Sequence, residues 1–343
     1  MLLRRLLALT LAVGLVLGAM QVRERFFGEA GAGALTPSAP DDLRVACAIE
    51  LTAVCAELDL ATPALVEEAG ATVERFGAGE LPFDVWLTLD PWPQLAADAR
   101  TRSGQGELAE ARSDVLARSP VVIAALRGRV EVMNDACGGA VSWSCLAEHA
   151  GTPYADIGGE AAWGRVRVGL DHPAERAGGL LALAQATGSF FEGAAYDTRT
   201  LAAADFFAWL SELAAAADSD TQQSPFERML LTGGADYQFA GVLESVAAPL
   251  LARAPGRADD IAVLRPEPVV TADVVAVGYG EQAQAAVDQL AERVAGPLAA
   301  QGWRVAGAEM PSELEAVALP DGNGLPSAAT LETLRQTWDE VTP

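Results

Sequence analysis

Apolar positions along the chain fall into short continuous runs and longer periodic ones, separated by Gly/Pro breaks. DLRVACAIE predicts a first strand running into a turn, and ELTAVCAELDL continues it as a helix, so a βα unit opens the domain near Asp41. PFDVWLTLDPW predicts a second strand with Asp90 and Trp92 on the loop at its carboxyl end. SPVVIAAL, 119–126, is short and wholly apolar, which fits a buried strand crossing to new surroundings. RGRVEVMNDACGG reads as a hairpin, SWSCLAEHAG as a short helix and WGRVRVGL as an alternating strand. GLDHPAERAGGLLALAQATG then places a loop of Asp, His and Pro and two glycines ahead of an apolar helix. AADFFAWLSELAAAA predicts a helix, and DSDTQQS a polar turn. In PFERMLLTGGADYQFAGVLES, Gly233 and Gly234 end a helix, and YQFAGVL is a strand with Glu244 and Ser245 at its end. IAVLRPEPVVTADVVAVGYG holds two strand runs split by Pro266 and Pro268, a return crossing. EQAQAAVDQLAERVAGPLAAQGW is one long amphipathic helix and LPSAATLETLRQTW a terminal one; no repeat of 20–50 residues is visible.

A chain of 343 residues with this alternation of strands and helices predicts two α/β lobes with a sizeable core. The formal net charge is −24, and every one of the 23 basic residues is an arginine. No basic stripe occurs, which argues against nucleic acid and against electrostatic docking on anionic lipid.

The N-terminus, MLLRRLLALTLAVGLVLGAMQVRERFF, carries two arginines, an uncharged run from Leu6 to Val22, and then Arg23, Glu24 and Arg25. Residues 1–26 read as an export signal or membrane anchor, and the lack of a small-residue site close behind the run favours an uncleaved anchor. Residues 27–40 are a Gly/Ala/Pro-rich linker, so the domain lies outside the membrane. Four cysteines form two equally spaced pairs, Cys47/Cys55 and Cys137/Cys145. Outside the cytoplasm an even count predicts disulfides, and short loops favour the two local bridges. Their spacing does not suit zinc.

The bare helix start at Gly178 and Gly179 is the most pointed chemical feature. Unpaired N–H groups and a partial positive charge there suit an anionic ligand, while tight packing on a sheet explains the same small residues. Asp171 and His172 have the makings of an acid/base pair, but an Asp ahead of a helix is more often a cap. No nucleophile elbow, P-loop or dinucleotide fingerprint occurs, so catalysis has no motif behind it. Of Trp86, Trp92, Trp143 and Trp163, only Trp92 falls on a predicted cleft loop; the others read as core.

Taken in order, ACAIELT, VWLTLDPW, SPVVIAAL, GLDHPAERAGGLLAL, GGADYQFAGVLES and RPEPVVTADVVAVGYG resemble the type II periplasmic (extracellular) solute-binding proteins, in the molybdate- and sulfate-type branch. The chain resembles membrane-attached actinobacterial binding domains of that family, here as the binding module without a following von Willebrand A domain. The resemblance implies a two-lobe α/β fold, each lobe an open sheet flanked by helices. Lobe I would comprise 41–122 and 272–343, with the C-terminal helix, and lobe II 123–271. It places Ala48, Ile49, Leu89, Asp90, Gly178, Asp236 and Glu244 at the cleft, to which Trp92, Asp171 and Gly179 are added as neighbours. The sequence departs from the hydroxyl-rich oxyanion sites of that branch: Ile49 and Glu50 stand in the first loop, and Asp90 beside Trp92 in the second. Desolvated carboxylates repel an oxyanion, so a polar organic or cationic solute fits at least as well.

The expected function is therefore extracytoplasmic solute binding by lobe closure, for transport or sensing, with no chemistry, cofactor or metal. The expected partners are a small solute (oxyanion or polar organic) and a membrane transporter or surface protein. The main alternative is a surface interaction or assembly protein with a degenerate cleft; a secreted hydrolase is more distant.

Overall fold

The computed structural model describes residues 43–217, 223–308 and 318–342; the expected anchor and linker, 1–40, lie outside them. The first strand, β1 (Val45–Ala48), is buried throughout and pairs in parallel with β2 (Leu65–Glu67) and β3 (Val85–Leu89). After β1 come a 3-10 turn, Ile49–Leu51, and the short helix α1 (Thr52–Ala56). Helix α2 (Ala69–Ala78) follows β2, and α3 (Trp92–Arg102) follows β3. A short strand, β4 (Glu110–Arg112), leads into β5 (Ala117–Leu126).

Strand β5 is the crossing segment, and it serves two ladders. Ala117–Pro120 pairs antiparallel with β9 (Thr271–Tyr279), which also pairs with β3 and β4. From Val121 on, β5 pairs with β7 (Phe239–Leu243), and from Ile123 with β8 (Ile261–Leu264). Strand β6 (Val168–Gly169) completes the second ladder beside β7, in parallel. The strand path is β2-β1-β3-β9-β5-β7-β6, with β4 on β9 and β8 on β5. Pro120 sits at the handover, where Val121 donates to the Val270 carbonyl at 2.8 Å.

Helices α4 (Arg127–Ala136), α5 (Trp143–Glu148), α6 (Ala177–Phe190), α7 (Ala204–Ala216), α8 (Pro225–Thr232), α9 (Glu244–Arg253) and α10 (Pro255–Ala258) follow in order. The long α11 (Ala283–Ala300) packs on β9, and α12 (Ala328–Val341) closes the described chain against α7. Ser224 and Ser327 cap α8 and α12 by accepting the Glu227 and Thr330 N–H groups.

Two expectations are corrected. RGRVEVMNDACGG is not a hairpin but α4: Met133 is buried at helical spacing from the half-buried Val130 and Cys137, and Gly138 ends the helix at φ 66°. The Val130/Val132 alternation imitates a strand only locally. WGRVRVGL alternates as expected, with Val166 and Val168 buried, but just Val168–Gly169 joins the ladder. The Gln238 side chain takes the Arg167 N–H at 2.7 Å instead.

The structure joins Cys47 to Cys55 and Cys137 to Cys145, with Cα separations of 6.7 and 5.7 Å. The first ties β1 to α1 and the second ties α4 to α5. Trp86, Trp92, Trp143, Trp303 and Trp338 are fully buried. Trp143 donates to Gln185 at 2.9 Å, and Gln185 in turn donates to the Pro268 carbonyl at 3.1 Å, so this buried polar pair stitches α5 and α6 to the return crossing.

Candidate functional site

Because β1, β2 and β3 run in parallel, the turns that follow them emerge on one edge; β6 and β7 do the same in the second ladder. Ala48 and Leu89 end β1 and β3 and are wholly buried, so they shape the edge without offering side chains to a ligand. Ile49 is half-buried at the start of the 3-10 turn, and the next residue, Glu50, reaches across to the second ladder's helix α6.

The Glu50 carboxylate accepts the Gly178 N–H through Oε1 at 2.8 Å. Gly178 is the second residue of α6, and the residue before that helix, Arg176, gives it no side-chain cap. The anion expected at this helix start is thus supplied by the chain itself. Burial pushes the Glu50 carboxyl above its ordinary value, opposed by the hydrogen bond from Gly178, by its own N–H, by the Arg176 charge and by the Ala177 N–H. Beside it the Arg176 guanidinium stands 3.4 Å from Glu68 and 3.6 Å from Asp171. Asp171 is pushed up to about 7, chiefly by burial; Arg176 pulls it down, while Glu50, Glu227 and Glu68 add to the rise. A further bridge runs from the Gly70 N–H at the start of α2 to the Glu175 carbonyl at 2.9 Å.

The two glycines differ. A Cβ at Gly178 would lie 3.7 Å from Glu50 Oε1 and from Leu243, which is ordinary contact. One at Gly179 would collide with the Asp171 carbonyl oxygen, so that glycine serves close packing. His172 accepts the Ala174 N–H on Nδ1 at 3.3 Å, a local turn contact ahead of α6.

Asp90 follows β3 on the same edge, but it and the remaining expected residues are otherwise engaged. Asp90 is ion-paired with Arg112, and its N–H donates to the Asp273 carbonyl at 2.9 Å. Burial raises the Asp90 carboxyl, against the Arg112 charge and hydrogen bond. Trp92 is not a loop residue available for stacking: it sits in the first turn of α3, 1 % exposed, in the core. Asp236 precedes β7 and Glu244 follows it, which puts the strand's length, ~17 Å for five residues, between them. Asp236 is paired with Arg228 at 3.1 Å at that far end, away from the Glu50 edge.

Glu244, 4 % exposed, is held by two arginines, Arg265 and Arg304, each at 2.6 Å. Of the expected ligand residues, it also lines a cavity of about 880 Å³ between α9 and the end of α11. Ala53, Ala247, Leu251, Arg265 and Gln301 contribute to its wall. Helix α9 packs on β5 and β7, whereas α11 packs on β9 and β3, so the cavity lies between the two ladders. Its volume is within the range of small-molecule sites. Arg112, Arg176, Arg265 and Arg304 were not singled out in the sequence, since nothing local distinguishes them from surface arginines; only the fold supplies their partners.

No protein-family model and no curated protein matches the chain. Solved structures do. The ferric binding protein from Campylobacter jejuni superposes with a TM-score of 0.55 at 10 % identity, covering 87 % of this chain and 96 % of its own. The periplasmic binding protein AfuA from Actinobacillus pleuropneumoniae, with fructose-6-phosphate bound, gives 0.55 at 13 % identity, covering 87 % and 98 %. The substrate binding protein of an ABC transporter from Agrobacterium tumefaciens gives 0.54 at 14 % identity, covering 90 % and 97 %. The fold is thus the two-lobe α/β fold of the periplasmic solute-binding proteins, and these neighbours are binding proteins rather than enzymes. Among the described residues no group of His, Cys, Asp or Glu is arranged to hold a metal ion.

Proposed function

We propose that the protein is an extracytoplasmic solute-binding protein that takes a small organic solute between two lobes, for delivery to a membrane transporter or for sensing. The observation that carries this reading is the cavity between α9 and α11, walled by helices packed on both ladders and with Glu244, Arg253, Arg265 and Gln301 among its lining. Its mainly apolar wall suits a ligand with an apolar body and one polar group. A tetrahedral oxyanion of the molybdate or sulfate type fits poorly, because Glu50 already sits at the α6 start and Asp90 is engaged by Arg112. The lobes are proposed as 41–122 with 272–343, and 123–271, with the handover in β5 as support. Two disulfides indicate an oxidising compartment, and residues 1–26 are proposed to tether the domain to the membrane.

Thermal stability against a panel of anions, amino acids, polyamines and sugars tests the reading, with Ala248→Trp as a variant that fills the cavity. A ligand at 100 times its Kd stabilises by ~2.7 kcal/mol, and that gain should vanish in the variant. A panel with no response would favour the second reading, an interaction or assembly protein with a degenerate cleft, for which the contact between Glu50 and Gly178 speaks.

A further inference from the structure

The start of α6 has the properties of an anion site and is already filled. Its flanking residue offers no side-chain cap, and the Gly178 N–H is satisfied by a carboxylate 128 residues away in sequence. The second carboxylate oxygen, Glu50 Oε2, is buried and has no hydrogen-bond partner among the described residues. Leaving half of a carboxylate dry and unsatisfied is unfavourable, so the contact is not a casual surface bond. The groups facing it are Gly178 and Ala177 at the helix start and Arg176 and Asp171 just before it; Arg176 in turn stands against Glu68 ahead of α2. Gly70 and Glu175 bridge the same seam.

We propose that the α6 N-terminus is a monocarboxylate seat which this chain fills with its own Glu50, latching the two ladders together before any solute binds. The seat is a site for a small carboxylate whenever the Glu50 side chain is withdrawn. The inference rests on the two-lobe reading but not on the solute of the α9/α11 cavity.

The test is chemical rescue in the full chain. Glu50→Ala should melt below wild type, and sodium formate, compared with sodium chloride at equal ionic strength, should raise its Tm saturably by at least about 2 °C. Wild type should show no such difference. Glu50→Gln, which keeps the shape and one acceptor, should fold and be indifferent to formate. If Glu50→Ala refolds only in formate, the seat is equally supported. A folded Glu50→Ala with no formate response overturns the proposal, as does equal rescue of wild type. Failure of Glu50→Ala to fold in either salt while Glu50→Gln folds overturns it as well. Repeating the titration on Glu50→Ala combined with Ala248→Trp separates the two readings: a formate response that survives the filled cavity, beside an empty solute panel, removes the proposed function and leaves the latch.

Discussion

Glu244 and Arg265 meet at 2.6 Å where α9 begins, and Arg304 approaches the same carboxylate from the other side at the same distance. The acid belongs to a helix on the second ladder. Arg265 follows β8, and Arg304 is bridged to Arg118 of β5. Glu244→Ala would leave two guanidinium groups facing one another in a mostly buried place. Such a change costs ~3–5 kcal/mol when a buried pair loses one partner, and urea denaturation should show a lowered midpoint of that order.

Asp171 makes stability depend on pH. Folded, it keeps its proton up to about pH 7; unfolded, it loses it near its ordinary 3.8. The folded state therefore binds more protons between those values, and stability falls as pH rises through that window. The displacement is worth at most ~4 kcal/mol. Glu50, also raised, acts in the same direction. Urea midpoints at pH 5 and pH 8 should differ, the higher at pH 5, and Asp171→Asn should flatten much of the slope.

The adjacent glycines at the α6 start should respond oppositely. Gly178→Ala gains helix propensity and meets only ordinary contacts, so its stability should stay within ~1 kcal/mol of wild type or rise. Gly179→Ala drives a Cβ into the Asp171 carbonyl and should lose ~2 kcal/mol or more. Equal midpoints for the two variants would contradict the geometry.

Both disulfides close short loops, a sequence separation of 8 each. Chain entropy puts each at ~2–3 kcal/mol. Non-reducing peptide mapping should recover Cys47–Cys55 and Cys137–Cys145, and Cys137→Ser with Cys145→Ser should lower the unfolding midpoint accordingly.

Long apolar patterns carried most of the fold. The β5 crossing, the Pro266/Pro268 break between β8 and β9, and α11 all stand where their runs predict, because each run is long enough for its period to show. Short elements escaped: β2 and β4 have three residues each, and α4 carries valines spaced two apart. Around the candidate site the loss is of another kind. ACAIELT shows an acid after a core strand, and GLDHPAERAGG shows a bare helix start, yet their union depends on the arrangement of two ladders. The resemblance puts Asp236 and Glu244 at one cleft, yet they flank β7, Asp236 before it and Glu244 after it, and so stand at opposite ends of that strand.

Strand β5 lends its first half to one ladder and its second half to the other. Loss of β5 would strip a strand from each ladder at once, because one continuous ten-residue strand lends Ala117–Pro120 to β9 and Val121–Leu126 to β7 and β8. Two lobes joined by flexible tethers would unfold as independent units, each with its own transition. Here the joint is itself hydrogen-bonded sheet, so cooperativity passes through it, and damage to either half is felt by the whole domain as one event.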